Sequence, residues 1–89
     1  MVEIKIASEN KINDFTSEID KALSFTVENQ GTSDLTLSIN DAAFDIPAGA
    51  GRTFDPIPGA VYKCLIIGTF AQQPGQTNKA LIIKLSPNC

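Results

Sequence analysis

The stretch Phe25 to Pro58, FTVENQGTSDLTLSINDAAFDIPAGAGRTFDPIP, constrains this chain more than any other. Phe25 and Val27, and then Leu35, Leu37 and Ile39, alternate with polar residues. That is the period of a strand with one face on a core. Between the two runs lies Asn29-Gln30-Gly31-Thr32-Ser33-Asp34, which has the chemistry of a chain reversal. The pattern predicts a β-hairpin: Ala22 to Glu28, with Leu23, Phe25 and Val27 inward, paired with Leu35 to Ile39. Asn40-Asp41 forms a turn, and Ala43 to Ile46 a brief extended piece with Phe44 and Ile46 on one face. Pro47-Ala48-Gly49-Ala50-Gly51 ends that piece, because Pro fixes φ and Gly supplies positive φ. Arg52-Thr53-Phe54 is short and extended, and the two prolines of Asp55 to Gly59 mark an edge or a crossover.

The flanks continue the pattern. Val2, Ile4 and Ile6 alternate with Glu3, Lys5 and Ala7, as in a strand. Residues 8–21 are read as an irregular connection or a short helical turn. Asp14 can cap and Phe15 and Ile19 stand four apart, but so short a helix has little support of its own. Ala60 to Phe70 is the longest β run. One face carries Tyr62, Cys64, Ile66, Gly68 and Phe70, and the other Val61, Lys63, Leu65, Ile67 and Thr69. Apolar residues on both faces imply a central strand or one covered by a partner. A second hairpin is predicted to join this run to Ala80 to Leu85, with the polar loop Ala71 to Lys79 projecting from the body. The fold expected is a single all-β domain over residues 1–89: a small antiparallel β-sandwich or barrel-like sheet pair of about seven short strands.

Composition excludes several functions. With no histidine, the commonest general base, metal ligand and triad member are gone. Cys64 and Cys89 are the only thiols; the alternatives are a buried inert thiol at Cys64 or a disulfide closing the tail onto the sheet. Asp41, Asp45 and Asp55 flank turns and would hold Ca²⁺ only if they converged, and their spacing fits no calcium loop. Gly49-Ala50-Gly51-Arg52-Thr53 lacks the Gly-Lys-Ser/Thr ending and the following helix of a phosphate cradle. The expectation is therefore no enzyme, no cofactor and no metal. The candidate contact residues are Arg52 and Phe54, with the hydrogen-bonding side chains Gln72, Gln73, Gln76, Thr77 and Asn78 of the projecting loop.

Net charge is −3, unevenly spread: residues 1–45 hold nine acidic residues against three lysines, whereas residues 46–89 hold Asp55 against Arg52 and three lysines. This acidic balance with scattered lysines argues against nucleic acid. No unbroken apolar run is longer than Cys64 to Ile67, far short of a membrane helix. The opening MVEIKIASENK has no charged segment leading into an apolar one, so folding in the cytoplasm is expected.

Within FTVENQGTSDLTLSI, the run Val-x-Asn-x-Gly-Thr-x-Asp-Leu resembles the opening hairpin of immunoglobulin-like and other sandwich modules. The order that follows is a short strand, FDIPAGAGRTFDPIP, a long strand, a Thr-containing loop and a terminal strand. It is similar to small accessory proteins of tailed-phage virions. The resemblance implies a non-catalytic structural or decoration component, made in the host cytoplasm, that forms homo-oligomers or sits on a virion lattice. The alternative is an immunoglobulin-like or carbohydrate-binding module using loops 40–59 and 71–79. Sugar stacking would call for aromatics on those loops, but the chain has no Trp and Tyr62 falls within a strand run.

Overall fold

A computed structural model describes residues 3–72 and 74–88. Eight strands and no helix form in this part of the chain: β1 (Glu3–Ile12), β2 (Phe15–Ala22), β3 (Ser24–Asn29), β4 (Leu35–Ile39), β5 (Ala42–Ile46), β6 (Gly51–Phe54), β7 (Tyr62–Phe70) and β8 (Lys79–Asn88). They build two four-stranded sheets, β1-β8-β3-β6 and β2-β7-β4-β5, with every neighbouring pair antiparallel. The chain crosses from sheet to sheet at each step except β4 to β5. This is the jelly-roll order of a two-sheet sandwich. The inner faces meet over Phe15, Ile19, Phe25, Val27, Leu35, Leu37, Ile46, Ile66, Phe70 and Ile82.

Three local expectations are corrected. The first concerns residues 8–21, which are neither helical nor irregular. Residues 8–12 extend β1, and 15–22 are β2. Phe15, Ser17 and Ile19 are buried while Thr16, Glu18 and Asp20 are exposed. The four-residue spacing of Phe15 and Ile19 suits either periodicity, and the buried Ser17 between them completes the strand period. Asn13, at φ 68°, makes the bend from one sheet to the other. Lys21, at φ 57°, sits in a register shift of β2 between Asp20 and Ala22, as the extra residue of a bulge.

The other two corrections concern the hairpins. β3 pairs with β8 and β6, while β4 lies in the opposite sheet, so residues 29–34 are a crossover between sheets. β7 and β8 are likewise in opposite sheets. Strand-turn-strand chemistry is the same for a hairpin and for an arch between sheets. What separates them is what the turn residues bond. The β4–β5 turn is a true two-residue hairpin, closed by the pair Ile39 and Ala42 with Asn40 at φ 54°.

Candidate functional site

The register of the strands gathers the connections at two ends of the sandwich. Residues 13–14, 30–34, 47–50 and 71–78 lie at one end; residues 23, 40–41 and 55–61 lie at the other.

Hydrogen bonds lace the first end. Asn29 is buried, and its Nδ2 donates to the carbonyls of Ser33 (2.7 Å) and Ile46 (3.0 Å) while its Oδ1 accepts from the Gly31 N–H (3.2 Å). One amide thus holds the crossover to the end of β5. Gly31 is required here, because a Cβ would run into the Thr77 carbonyl. The flanks of the expected contact loop, residues 71–72 and 77–79, are stitched down along this end, and residues 74–76 are exposed. The Thr32 N–H donates to the Thr77 carbonyl (2.9 Å), and the Thr77 N–H to Thr32 Oγ1 (2.8 Å). Asn78 Nδ2 donates to Asn13 Oδ1 (3.0 Å) and to Gln72 Oε1 (3.2 Å). Asp14 Oδ1 accepts from the Phe70 N–H (2.8 Å) and from Gln72 Nε2 (3.3 Å). Gln72 and Asn78 thus bond through their side chains and Thr77 through its backbone; Gln72, Gln76 and Thr77 are exposed, and Gln73 lies outside the described residues.

The second end is apolar and open. Arg52 and Phe54 stand on β6, the edge of one sheet, opposite Phe44 on β5, the edge of the other. Phe54 stacks on Phe25 with centroids 4.5 Å apart and meets Phe44 edge-on at 5.7 Å. Tyr62 stands edge-on to Phe25 at 5.3 Å, and its hydroxyl donates to the Asp55 carbonyl. The Arg52 guanidinium lies 4.1 Å over the Phe44 ring, bridging the two sheet edges. Phe25, Phe44, Phe54, Tyr62, Ile39 and Cys64 line a groove of about 340 Å³ between these edges. A second apolar hollow of about 450 Å³ adjoins this end, lined by Leu23, Pro56, Ile57, Pro58 and Val61. Of the seven expected contact residues, the structure brings together Arg52 and Phe54 and leaves the loop residues at the far end. Within the loops expected to bind, residues 40–41 and 55–59 are at one end, and 47–50 and 71–79 at the other. Sequence reading missed Phe44 as a partner of Arg52. Its cue was the placement of Phe44 on the inward face of an edge strand, where a large ring has no third layer to cover it.

The remaining candidates stay apart. Asp41, Asp45 and Asp55 are all exposed, and the described residues contain no group of three or more potential metal ligands. Gly49, at φ 81°, and the Ala50 N–H bond to the Pro47 carbonyl (3.0 Å) make residues 47–50 a tight turn. Cys64 is a half-buried free thiol whose pKa is pushed up by burial, which disfavours the thiolate; Cys89 lies outside the described residues. On the opposite side of the sandwich, Glu9 reaches across from β1. Burial opposes its ionisation, but the Ser17 hydroxyl (2.9 Å) and the ammonium of Lys84 (3.3 Å) outweigh that and hold its carboxyl below the usual range.

The outer faces differ in character. On the outside of the first sheet, Ile4, Ile6 and Ile12 of β1 are 55%, 70% and 75% exposed. They adjoin half-buried Leu81, Ile83, Leu85 and Pro87 of β8. On the outside of the second sheet, Leu65 and Ile67 are exposed, but they are paired with Glu18 and Thr16 of β2.

No protein-family model matches the chain, and no curated protein matches it. Among solved structures it is similar to a de novo designed double-stranded beta-helix solved by solution NMR. The likeness has a TM-score of 0.53 and 7% identity, over 94% of this chain and 99% of that one. At that identity it shows the fold alone: a small, all-β, two-sheet jelly roll.

Proposed function

We propose that this chain is a non-catalytic assembly module that works through protein–protein contacts. The observation that carries the reading is the outer face of the first sheet. A strip of exposed Ile4 and Ile6 beside half-buried Ile83 and Leu85 lies on the outside of a small domain whose buried core does not include it. Exposed apolar strips of this kind mark contact surfaces. A virion accessory or decoration component is the form of this role supported by the resemblance of residues 24–85. Sedimentation velocity from micromolar to millimolar concentration, alone and with purified particle proteins, tests it. Association is expected, and Ile83→Lys weakens contacts made through the face. A strict monomer without affinity for particle proteins, or a turnover abolished by changing Asp45 or Asp55, overturns the reading.

One observation favours a second reading. Phe25, Phe44, Phe54 and Tyr62 converge on one groove with Arg52 at its rim. Aromatic faces beside a cation suit a small ring-bearing ligand such as a sugar. Glycan-array binding lost on Phe44→Ala supports it, and an array without hits removes it.

A further inference from the structure

A two-sheet sandwich has four edge strands, and three of these are blunted. β6 spans only Gly51–Phe54, β5 only Ala42–Ile46 before Pro47, and β2 carries Glu18, Asp20 and a register shift at Lys21. Short length, charge and bulges are the ways in which proteins keep sheet edges from pairing with other chains. β1 has neither the short length nor a bulge, and its charges, Glu3, Lys5, Glu9 and Lys11, are balanced in sign. It runs ten residues, Glu3–Ile12, without proline, and stays in unbroken register with β8 from Glu3 opposite Asn88 to Ile12 opposite Lys79. Among the described residues no strand pairs with its other side.

The charges along this edge are ordered. Glu3, Lys5, Ala7, Glu9 and Lys11 occupy alternate positions, with Ala7 at the centre. Laid antiparallel on itself about Ala7, the strand sets Glu3 opposite Lys11 and Lys5 opposite Glu9, and the twofold repeats both pairs. A slip of two residues either way sets Glu3 opposite Glu9, or Lys5 opposite Lys11. Opposite charges directly across an antiparallel pair stabilise it and like charges oppose it, so this sequence selects one register with itself. A twofold contact demands this self-complementarity, residue i meeting j while j meets i.

We propose that β1 pairs edge to edge with β1 of a second copy, antiparallel and centred on Ala7, so that the two four-stranded sheets become one continuous sheet. The proposal deepens the assembly reading and rests on it, naming the partner as a second copy. Pairing satisfies the free backbone groups of the edge. It also joins the Ile4 and Ile6 strips of the two copies into one apolar face.

The test uses the Glu3–Lys11 pair, because Glu9 is held by Ser17 (2.9 Å) and Lys84 (3.3 Å) within the chain, whereas Lys11 has a longer approach to Glu9 (4.0 Å). E3K places lysines opposite Lys11 twice in the dimer, and K11E places carboxylates opposite Glu3 twice. Each variant is expected to dimerise about tenfold more weakly or worse than the parent. An equimolar mixture of E3K and K11E is expected to form the mixed dimer, and the double variant E3K/K11E to regain dimerisation. Thermal melts close to the parent's show that the variants are folded. Sedimentation equilibrium at low salt, where such pairs are least screened, reads all four samples. A parent that stays monomeric alone overturns self-pairing, while the assembly reading stands or falls on the particle proteins. A dimer indifferent to both charge reversals but broken by Ile83→Lys also overturns edge pairing, and keeps assembly through the face. Failure of the mixed pair to form, with both variants folded, counts equally against it.

Discussion

The two ends of this sandwich are closed by different physics. At the end of residues 30–34 and 71–78, polar side chains and backbone groups bond one another across four connections, with Asn29 buried in the middle. At the end of residues 40–41 and 55–61, prolines remove backbone donors; beside the bonds of Tyr62 to the Asp55 carbonyl, of the Ala60 N–H to the Ile57 carbonyl (3.1 Å) and of the Leu23 N–H to the Leu85 carbonyl (2.6 Å), the side-chain contacts are ring against ring. Hydrogen bonds are directional and costly to leave unmade, so a network of them fixes one arrangement. Aromatic packing tolerates rotation and displacement. The polar end is therefore a staple and the apolar end an opening, although amide-rich loops are the usual place to look for contacts.

The sharpest way to break this comparison is at Asn29. Asn29→Ala removes three hydrogen bonds and takes a donor from two buried carbonyls, while the Gly31 N–H keeps its bond to the Lys79 carbonyl (3.0 Å). The expected loss is about 3–5 kcal/mol, read as a fall in the urea midpoint. Hydrogen exchange should accelerate at residues 30–34 and 71–78 together. A loss under about 1 kcal/mol would mean that water replaces the amide and the end is not stapled.

At the other end, Phe54→Ala removes a half-buried ring that touches Phe25, Phe44 and Tyr62. About 2 kcal/mol is expected, below the value for a fully buried ring because part of it is already in water. The exchange pattern at the stapled end should not change. Equal acceleration at both ends would show one cooperative unit instead of two independent closures. Arg52→Ala is milder, at about 1 kcal/mol or less. Its main effect should be to uncover the Phe44 ring and raise binding of a hydrophobic dye to the groove. Unchanged dye binding would show that the guanidinium does not cover the groove.

Much of the fold was legible from alternation alone. Phe25, Val27, Leu35 and Leu37 are buried as their period requires, and Phe70, Ile66 and Ile82 complete the core. Which strand pairs with which was not legible. Alternation assigns a face but not a partner, and Asn29 to Asp34 has the same composition whether it turns within a sheet or between two. Residues 8–21 were obscured because β1 is an edge: Ser8 and Asn10 face solvent, so its apolar signal fades while its backbone stays extended. Of the site, Arg52 and Phe54 were visible on an isolated short strand. Their partners Phe44 and Tyr62 meet them only through the jelly-roll order, which joins the β5 and β6 edges across the sandwich.

The smallest effect concerns the residue beside Asn29. Ser33 is fully buried, and its hydroxyl has no hydrogen-bond partner among the described residues. Its backbone is well used: the carbonyl accepts from Asn29, and the N–H donates to the Thr77 carbonyl (3.2 Å). Only the hydroxyl is idle, and a buried polar group without a partner costs stability. Ser33→Ala keeps both backbone bonds and removes the idle group, so it should leave stability unchanged or raise it by up to about 1 kcal/mol. The urea midpoint should shift upward at constant slope, since the surface exposed on unfolding hardly changes. A drop of about 1 kcal/mol instead would mean that the hydroxyl bonds an internal water. The staple would then extend beyond Asn29, and the contrast with the apolar end would be larger than the protein's own hydrogen bonds account for.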